Sequence, residues 1–183
     1  MDAKFDLMNG VDTSGYLVAA DLGLDSSAHE YLASPEHIIV SAFRLLPIDF
    51  REFTLVDLGC GKGRVLVVAA KKFSFRQIVG VEISEELARI ASKNTSQFAN
   101  TSIVTCDAAA YELPNQPCVI YLANPFEASV MEVVTRNIER RVARDRSPVY
   151  VVYLVPQFRD LLDRASFLRP LPSPDYCPVY VTA

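Results

Sequence analysis

The chain is poor in cysteine and histidine, with four cysteines and two histidines among its 183 residues. No two cysteines stand at metal-ligand spacing, and the histidines, His29 and His37, are eight residues apart with no cysteine nearby. A zinc site needs three or four such ligands close together, so we expect no metal. We interpret the cysteines as free thiols of a reducing compartment: Cys60, Cys106, Cys118 and Cys177.

The chain also lacks long apolar runs and an excess of positive charge. No run approaches the roughly 18 apolar residues that cross a bilayer, and the first ten residues, MDAKFDLMNG, lack the basic start and apolar core of a signal peptide. The net charge of −4 offers nucleic acid no general attraction. We therefore expect a soluble, cytoplasmic protein that binds no membrane, with nucleic acid a disfavoured partner and the oligomeric state undetermined.

What the chain does have is a regular alternation of apolar strands and helices from residue 47 onward. Continuous apolar strands separated by helices are typical of a parallel sheet covered on both faces. Five such strands are predicted in FTLVDLG, QIVGVEI, SIVTCD, CVIYLA and PVYVVYLV, and SFLRPL and DYCPVYVTA form a closing antiparallel pair. The pattern predicts a doubly wound, Rossmann-like α/β fold with a mostly parallel seven-stranded sheet and an antiparallel C-terminal strand. Among its helices, one is expected at about Ala128 to Arg144.

The part of the chain before this alternation is less regular. Residues 1–33 have short apolar pieces broken by Gly, Asp and Ser, so we expect loop. A leading helix follows, capped by Ser34 and with Pro35 in its first turn, and Pro47 ends it. Residues 1–46 are thus an N-terminal segment with a leading helix, a candidate cofactor or substrate lid, and residues 47–183 are the ligand-binding domain.

The first strand-to-helix turn, VDLGCGKGR, is where such folds bind ligands. Its glycines allow close approach of a ligand to the backbone. It is not a P-loop, because Lys62 is followed by Gly63 and no hydroxyl residue is there to hold magnesium. It is not the G-x-G-x-x-G dinucleotide fingerprint either, because Arg64 stands where the last glycine would be.

The pattern D-x-G-x-G-x-G instead resembles motif I of the class I S-adenosylmethionine-dependent methyltransferases. The resemblance implies that Asp57 helps to orient the ammonium group of S-adenosylmethionine, and that Glu82, which ends the second strand, accepts hydrogen bonds from the ribose hydroxyls. It also implies that Asp107 and the amide of Ala108 bind adenine. The implied cofactor-binding residues are Tyr31, Ser34, Asp57, Gly59, Cys60, Gly61, Gly63, Glu82, Ile83, Asp107, Ala108 and Asn124. A nicotinamide oxidoreductase is a distant alternative.

The fourth strand runs into YLANPFEASV, which resembles a shortened [DN]-P-P-[YF] motif of methyltransferases that modify nitrogen. The resemblance implies that Asn124 and the carbonyl of Pro125 orient the target nitrogen and that Phe126 forms a wall of the pocket. Only one proline is present, so Phe126 stands one residue closer than usual. The alternative is a strand end turned by Pro125 over a core phenylalanine.

From Tyr31 onward the chain resembles small bacterial class I proteins and, distantly, the non-SET lysine methyltransferases. These share an aromatic residue and a Pro-[ST] pair before the leading helix; Tyr31 and Ser34 match, but Ala33 replaces the proline. We hypothesise N-methylation of an amine such as a protein lysine, and favour a protein side chain over a small molecule as acceptor. The alternatives are a small-molecule methyltransferase and a non-catalytic S-adenosylmethionine-binding module. We interpret the basic run after Asn124 as a solvated helix face: Arg136, Arg140, Arg141, Arg144 and Arg146.

Overall fold

A computed structural model of the chain describes residues 3–17 and 31–182. Its helices are α1 Ala3–Asn9, α2 Glu36–Arg44, α3 Arg64–Lys72, α4 Glu85–Thr95, α5 Ala128–Arg144 and α6 Arg159–Asp163, with a 3-10 turn at Phe50–Glu52. Its strands are β1 Tyr16–Leu17, β2 Tyr31–Leu32, β3 Thr54–Leu58, β4 Gln77–Glu82, β5 Thr101–Thr105, β6 Cys118–Ala123, β7 Val149–Leu154, β8 Leu168–Leu171 and β9 Val179–Thr182. Within these ranges no helix has both the length and the apolar character needed to cross a membrane.

The main sheet has seven strands in the order β5-β4-β3-β6-β7-β9-β8. The first five are parallel, and β9 runs antiparallel to both of its neighbours. This confirms the predicted mostly parallel seven-stranded sheet with an antiparallel C-terminal strand. Because β3 pairs with β4 on one side and β6 on the other, the chain order reverses at β3, and its carboxyl end opens into a crevice.

The sheet is buried on both faces, which explains why its strands are apolar throughout. Alternate residues of β3 point to opposite faces: Leu55 joins the core cluster that includes Phe43 of α2, and Val56 joins the cluster that includes Ile138 of α5. On the first face the Phe43 ring meets the Phe73 ring edge-on at 5.1 Å. Burial of each large apolar side chain of this kind stabilises the fold by about 1.5–3 kcal/mol.

The expectation of loop with little regular structure in residues 1–33 was wrong for part of this segment, although residues 10–15 do lie outside helix and strand. Ala3–Asn9 is helical, and the short strands β1 and β2 pair antiparallel. The sequence pattern did not reveal this helix because Phe5 is its one buried residue, so its stability depends on tertiary contacts rather than on an apolar stripe. The rest of that expectation, together with His29, lies outside the described residues, since it falls on residues 18–30.

Ser34 does not cap the leading helix. The N-cap is Pro35, which makes no side-chain cap bond, and the Pro35 carbonyl accepts from the amides of Ile38 and Ile39. Because Pro35 is extended, with φ −60° and ψ 141°, the helix begins one residue later, at Glu36. A serine cap does start α4, where the Ser84 hydroxyl accepts from the backbone amide of Leu87 at 3.4 Å.

The basic run on α5 is not a uniformly solvated face, because Arg141 is 2% exposed. Its guanidinium donates to the carbonyls of Pro114, Gln116 and Asp145 and so joins α5 to the loop before β6. Two further members of the run form ion pairs within the chain: Arg144 with Glu112 at 2.9 Å, and Arg136 with Glu132 at 3.8 Å. At least three of the five arginines in this run therefore bind other groups of the same chain.

Candidate functional site

A cleft opens at the carboxyl ends of β3, β4 and β6, and every predicted site residue except Gly63 lines it. Gly63 instead precedes α3 and lies against Ala91 of α4. The predicted residues that share the cleft are Tyr31, Ser34, Asp57, Gly59, Cys60, Gly61, Glu82, Ile83, Asp107, Ala108, Asn124, Pro125 and Phe126.

The glycine turn after β3 is shaped by two close approaches. Gly59 has φ +80° and Gly61 has φ +54°, in the left-handed region that favours glycine. A Cβ added to Gly59 would lie 2.5 Å from the Pro125 Cβ, and one added to Gly61 would overlap the Tyr31 ring. The turn is therefore enclosed from two sides, by the residues after β6 and by Tyr31.

Glu82 attaches the glycine turn to the end of β4. Its carboxylate is 6% exposed, with Oε2 accepting from the Gly61 amide at 2.8 Å and Oε1 from the Ser84 amide at 2.9 Å. Burial raises the pKa of Glu82, and these amide bonds act in the opposite direction. Each carboxylate oxygen can accept a further hydrogen bond, which leaves acceptor capacity for a ligand. Ile83, beside it, is 45% exposed.

Asp57 is 2% exposed, and its Oδ2 has no hydrogen-bond partner among residues 3–17 and 31–182. Burial, and secondarily the charge of Glu82, raises the pKa of Asp57 to about 8. A cation bound nearby would favour the ionised form. The register partner of Asp57 on β6 is Tyr121, a fully buried residue that the sequence analysis missed. Burial raises the pKa of Tyr121, and the charge of Asp57 raises it further.

A third acid faces the same cleft from beyond β5. Asp107 is exposed, and its Oδ1 accepts from the amide of Ala109 at 2.8 Å. Together with Asp57 and Glu82 it places three carboxyl groups in the lining of the cleft, and a cationic ligand would favour their ionised forms. Cys60 is buried, and burial raises the pKa of its thiol well above the usual value, so it is neutral and inert as a nucleophile.

The Asn-Pro-Phe segment turns sharply at the end of β6. Asn124 has φ +47°, and its Nδ2 donates to Oε1 of Gln157 at 3.1 Å. In the adjacent strand β7, Leu154 pairs with Ala123, and the next residue, Val155, also has positive φ, +52°. Left-handed backbone geometry is uncommon for residues other than glycine and is rarest for a β-branched residue such as Val155. Residues with this geometry cluster at functional sites, and here two of them follow adjacent strands. Gln157 was not predicted from the sequence.

Phe126 lies in the core and at the cleft at the same time, so its position does not separate the two sequence-based interpretations. It is 6% exposed and belongs to the core cluster that includes Met131 of α5, and it also lines the cleft. One edge of the ring can therefore form a wall while the rest packs in the core.

Further lining residues escaped the sequence analysis: Leu32, Ala33, Arg64, Val65, Val81, Leu87, Cys106, Ala123 and Val130. Most of them adjoin a predicted residue, so extending each motif by one or two positions would have found them. Arg64 is different, because it is a buried cation, 4% exposed, that contacts Asp6 and Thr13 in residues 3–17. No local signal in the sequence indicates those partners.

Comparison with known proteins agrees with this geometry. The family model described as "Methyltransferase domain" matches residues 55–145, about half of the chain, which include the glycine turn and the Asn-Pro-Phe segment. The chain is 36% identical over 64 residues to a protein-lysine N-methyltransferase from Saccharolobus islandicus (strain REY15A). It is 31% identical over 67 residues to an rRNA N(6)-adenosine-methyltransferase from Caenorhabditis elegans.

These two matches cover 35% and 36% of this chain and span 39% and 31% of the relatives' own lengths. The fold is similar to that of an RNA methyltransferase from Salinibacter ruber solved in complex with S-adenosyl-L-homocysteine. The TM-score is 0.54 at 19% identity, covering 82% of this chain and 92% of that one. The relatives thus differ in the acceptor that they methylate.

Proposed function

Because the chain belongs to the class I S-adenosylmethionine-dependent methyltransferases, we propose that it methylates a nitrogen, such as the side-chain amine of a protein lysine. The observation that carries this proposal is the contact between the Asn-Pro-Phe segment and the glycine turn, through Pro125 and Gly59. This contact sets the residues that would hold an acceptor beside those that would hold the cofactor.

The cleft fits S-adenosylmethionine. Asp57 has an unpartnered buried oxygen suited to the ammonium group, and Glu82 retains acceptor capacity for the ribose hydroxyls. Asp107 and the amide of Ala108 would bind adenine. When bound, the cofactor supplies a methyl group on a cationic sulfur, which suits the acidic lining.

On the acceptor side, the chain has little to do beyond positioning. Oδ1 of Asn124 and the carbonyl of Pro125 would accept hydrogen bonds from the incoming amine and direct its lone pair. Holding two reactants in the correct orientation supplies much of the acceleration in such displacements. The attacking amine must be neutral, and the apolar ring of Phe126 would lower the pKa of a lysine bound beside it by excluding water.

The charge around the cleft supports a protein amine over RNA. Arg64 is the one cation among the cleft-lining residues within the described ranges, and Asp6 and Thr13 engage it. Proteins that bind nucleic acid use lysines and arginines to neutralise phosphates, whereas an acidic rim attracts lysine.

Calorimetric titration with S-adenosylmethionine and S-adenosylhomocysteine tests the cofactor site. We expect both ligands to bind, and Asp107→Ala to weaken binding about tenfold or more, the effect of losing a charge-assisted hydrogen bond. Asp107 is exposed, so its variant should fold. Glu112→Ala, which removes an exposed acid paired with Arg144, is the control and should bind as the wild type does. No binding at millimolar ligand would overturn the proposal.

Transfer of a labelled methyl group into a cell extract tests the acceptor. We expect label in protein, recovered as methyllysine after hydrolysis, and its loss in Asn124→Ala even when the cofactor is saturating. Label in RNA or in a small metabolite would replace the lysine assignment. Cofactor binding with no transfer to any fraction would favour a non-catalytic binding module.

A further inference from the structure

We propose that Asp6 and Arg64 are positioning residues that hold Tyr31 over the glycine turn, which makes residues 3–17 part of the cofactor site. The inference rests on the proposed function, since it takes S-adenosylmethionine as the ligand of the cleft. It also gives the N-terminal segment a defined role in place of that of a general lid.

Tyr31 is the point where the N-terminal region meets the cleft. Its ring lies against Gly61, and the Nζ of Lys62 is 5.8 Å from the ring centroid. The Tyr31 hydroxyl donates to the carbonyl of Thr13 at 2.6 Å, and its backbone pairs with Leu17 in the β1–β2 ladder. The position of the ring therefore depends on where Thr13 is held.

Thr13 is held by Asp6. One carboxylate oxygen, Oδ2, accepts from the amides of Thr13 at 2.9 Å and Ser14 at 2.7 Å, and the other, Oδ1, accepts from the Thr13 hydroxyl at 2.5 Å. Thr13 is fully buried. Burial tends to raise the pKa of Asp6, but the hydrogen bonds from Ser14 and Thr13 outweigh it and hold the pKa below its usual value. The carboxylate is thus ionised at neutral pH.

Arg64 connects this turn to the cofactor motif. It directly follows Gly63, its Nε donates to the Thr13 hydroxyl at 2.7 Å, and its Nη2 lies 3.5 Å from Oδ1 of Asp6. Its guanidinium also stacks over the Phe5 ring, 4.8 Å from the centroid. The Arg64 and Asp6 side chains are 4% and 14% exposed, so water screens their attraction much less than it screens a surface pair. The contacts form a closed loop from the glycine turn through residues 3–17 and Tyr31 back to Gly61.

A second attachment runs in parallel with the first. Nζ of Lys62 binds Oδ1 of Asp12 at 3.0 Å and the carbonyl of Ser14 at 2.9 Å. Asn94 of α4 accepts from the Asp12 amide and donates to the Lys62 carbonyl at 2.8 Å. Lys62 is not a P-loop lysine. Its contacts instead attach the N-terminal segment to the glycine turn.

The contacts that run from Asp6 and Arg64 through Thr13 to Tyr31 are called the latch below. The latch matters for ligand binding because it holds the Tyr31 side chain in one position before the ligand arrives. A side chain that is ordered only on binding costs about 0.5–1.5 kcal/mol, which corresponds to a loss of about twofold to tenfold in affinity. We therefore expect Asp6→Asn to weaken S-adenosylhomocysteine binding several-fold, although Asp6 is not among the residues that line the cleft. Tyr31→Phe, which keeps the ring and removes its bond to Thr13, should weaken binding to a similar extent.

The experiment is a double-mutant cycle read by calorimetry well below the unfolding temperature. If Asp6 acts through Tyr31, the double variant Asp6→Asn/Tyr31→Phe binds about as weakly as the weaker single variant. Glu36→Gln, which breaks the exposed ion pair with Lys72, is the matched control and should leave affinity unchanged. Additive effects, or wild-type affinity in Asp6→Asn, would overturn the inference.

Thr13→Val is the alternative if Asp6→Asn does not fold, because it keeps the side-chain volume and removes the hydroxyl that joins Asp6 to Arg64. We expect Thr13→Val to weaken S-adenosylhomocysteine binding, and its combination with Tyr31→Phe to bind about as weakly as the weaker single variant. Unchanged affinity in a folded Thr13→Val would contradict the inference. If the wild type did not bind S-adenosylhomocysteine at all, the proposed function would be wrong. If the wild type bound and the variants bound equally well, only the role of the latch would be wrong.

Discussion

Pro125 lies directly against Gly59, at a distance that leaves no space for a Cβ on the glycine. The two residues follow the adjacent parallel strands β6 and β3. The turn that carries Asn124 is thereby seated on the turn that carries motif I. The relative position of the two turns is set by this contact between the Pro125 ring and the Gly59 backbone rather than by long, flexible side chains.

Gly59→Ala should damage cofactor binding more than it damages the fold. The new methyl group would lie 2.5 Å from Pro125, so one of the two turns must shift. The left-handed geometry adds about 1–2 kcal/mol of strain, which lowers the unfolding temperature by a few degrees in a chain of this size. We expect a loss of tenfold or more in S-adenosylmethionine affinity, measured by calorimetry beside thermal unfolding.

Gly10→Ala separates the effect of backbone strain from the effect of the steric clash with Pro125. Gly10 has φ +67°, close to that of Gly59, but a Cβ there meets nothing within 4 Å. Its variant should lose similar stability and should lose much less affinity than Gly59→Ala. Equal losses of affinity in both variants would show that the contact with Pro125 is unimportant.

Gln157→Ala should slow methyl transfer and leave cofactor binding intact. Oε1 of Gln157 accepts a hydrogen bond from Nδ2 of Asn124. This bond holds the side-chain amide of Asn124 with its Oδ1 directed away from Gln157. Loss of one such hydrogen bond is worth about 0.5–1.5 kcal/mol, or roughly twofold to tenfold in kcat. Gln77→Ala, at the exposed opposite end of β4, is the control. Weakened S-adenosylhomocysteine binding in Gln157→Ala would contradict a role confined to the acceptor side.

Asp57→Asn should make the stability of the unliganded protein less dependent on pH. The folded pKa of about 8 is above the unfolded value, so the folded state binds the proton more tightly, and the stability contributed by this group is lost as pH rises toward 8. Between pH 6 and 8 the wild type should lose at most about 1.4 kcal/mol per pH unit from this group. Urea unfolding at several pH values measures the difference between wild type and variant.

The matched control for this prediction is Asp49→Asn. Asp49 is exposed, and its hydrogen bonds to Arg51 lower its pKa, so it does not titrate between pH 6 and 8. Its variant should follow the wild-type slope. If Asp57→Asn followed that slope as well, the carboxyl of Asp57 would already be ionised in the folded protein.

Arg141→Ala should destabilise the protein by about 3 kcal/mol, because it removes a buried cation that donates to three partly buried backbone carbonyls. Arg140→Ala, the neighbouring exposed arginine, should change the free energy of unfolding by less than about 0.5 kcal/mol. Both values come from urea unfolding. Equal effects would mean that the α5 arginines act as one solvated set.

The sheet and most of the cleft could be predicted because their determinants are local. A strand buried on both faces must be apolar throughout, and the resulting pattern located all seven main-sheet strands and the bounds of α5. Asp57, Glu82 and Asp107 are far apart in sequence, yet each stands at or just beyond the end of a parallel strand. Such ends lie at one edge of the sheet, so the convergence of these acids follows from topology alone.

The sequence by itself therefore determined the fold, the motif-I turn and the residues at the strand ends. Only the tertiary structure decided which side chains from irregular segments join them. The Arg64–Asp6 pair joins residues 58 positions apart, and the bonds of Arg141 run to a loop 25 to 27 residues away. Such contacts leave no periodic pattern, because a hydrogen bond or ion pair needs one partner at one place. Apolar burial, in contrast, is repeated along every strand and is therefore readable.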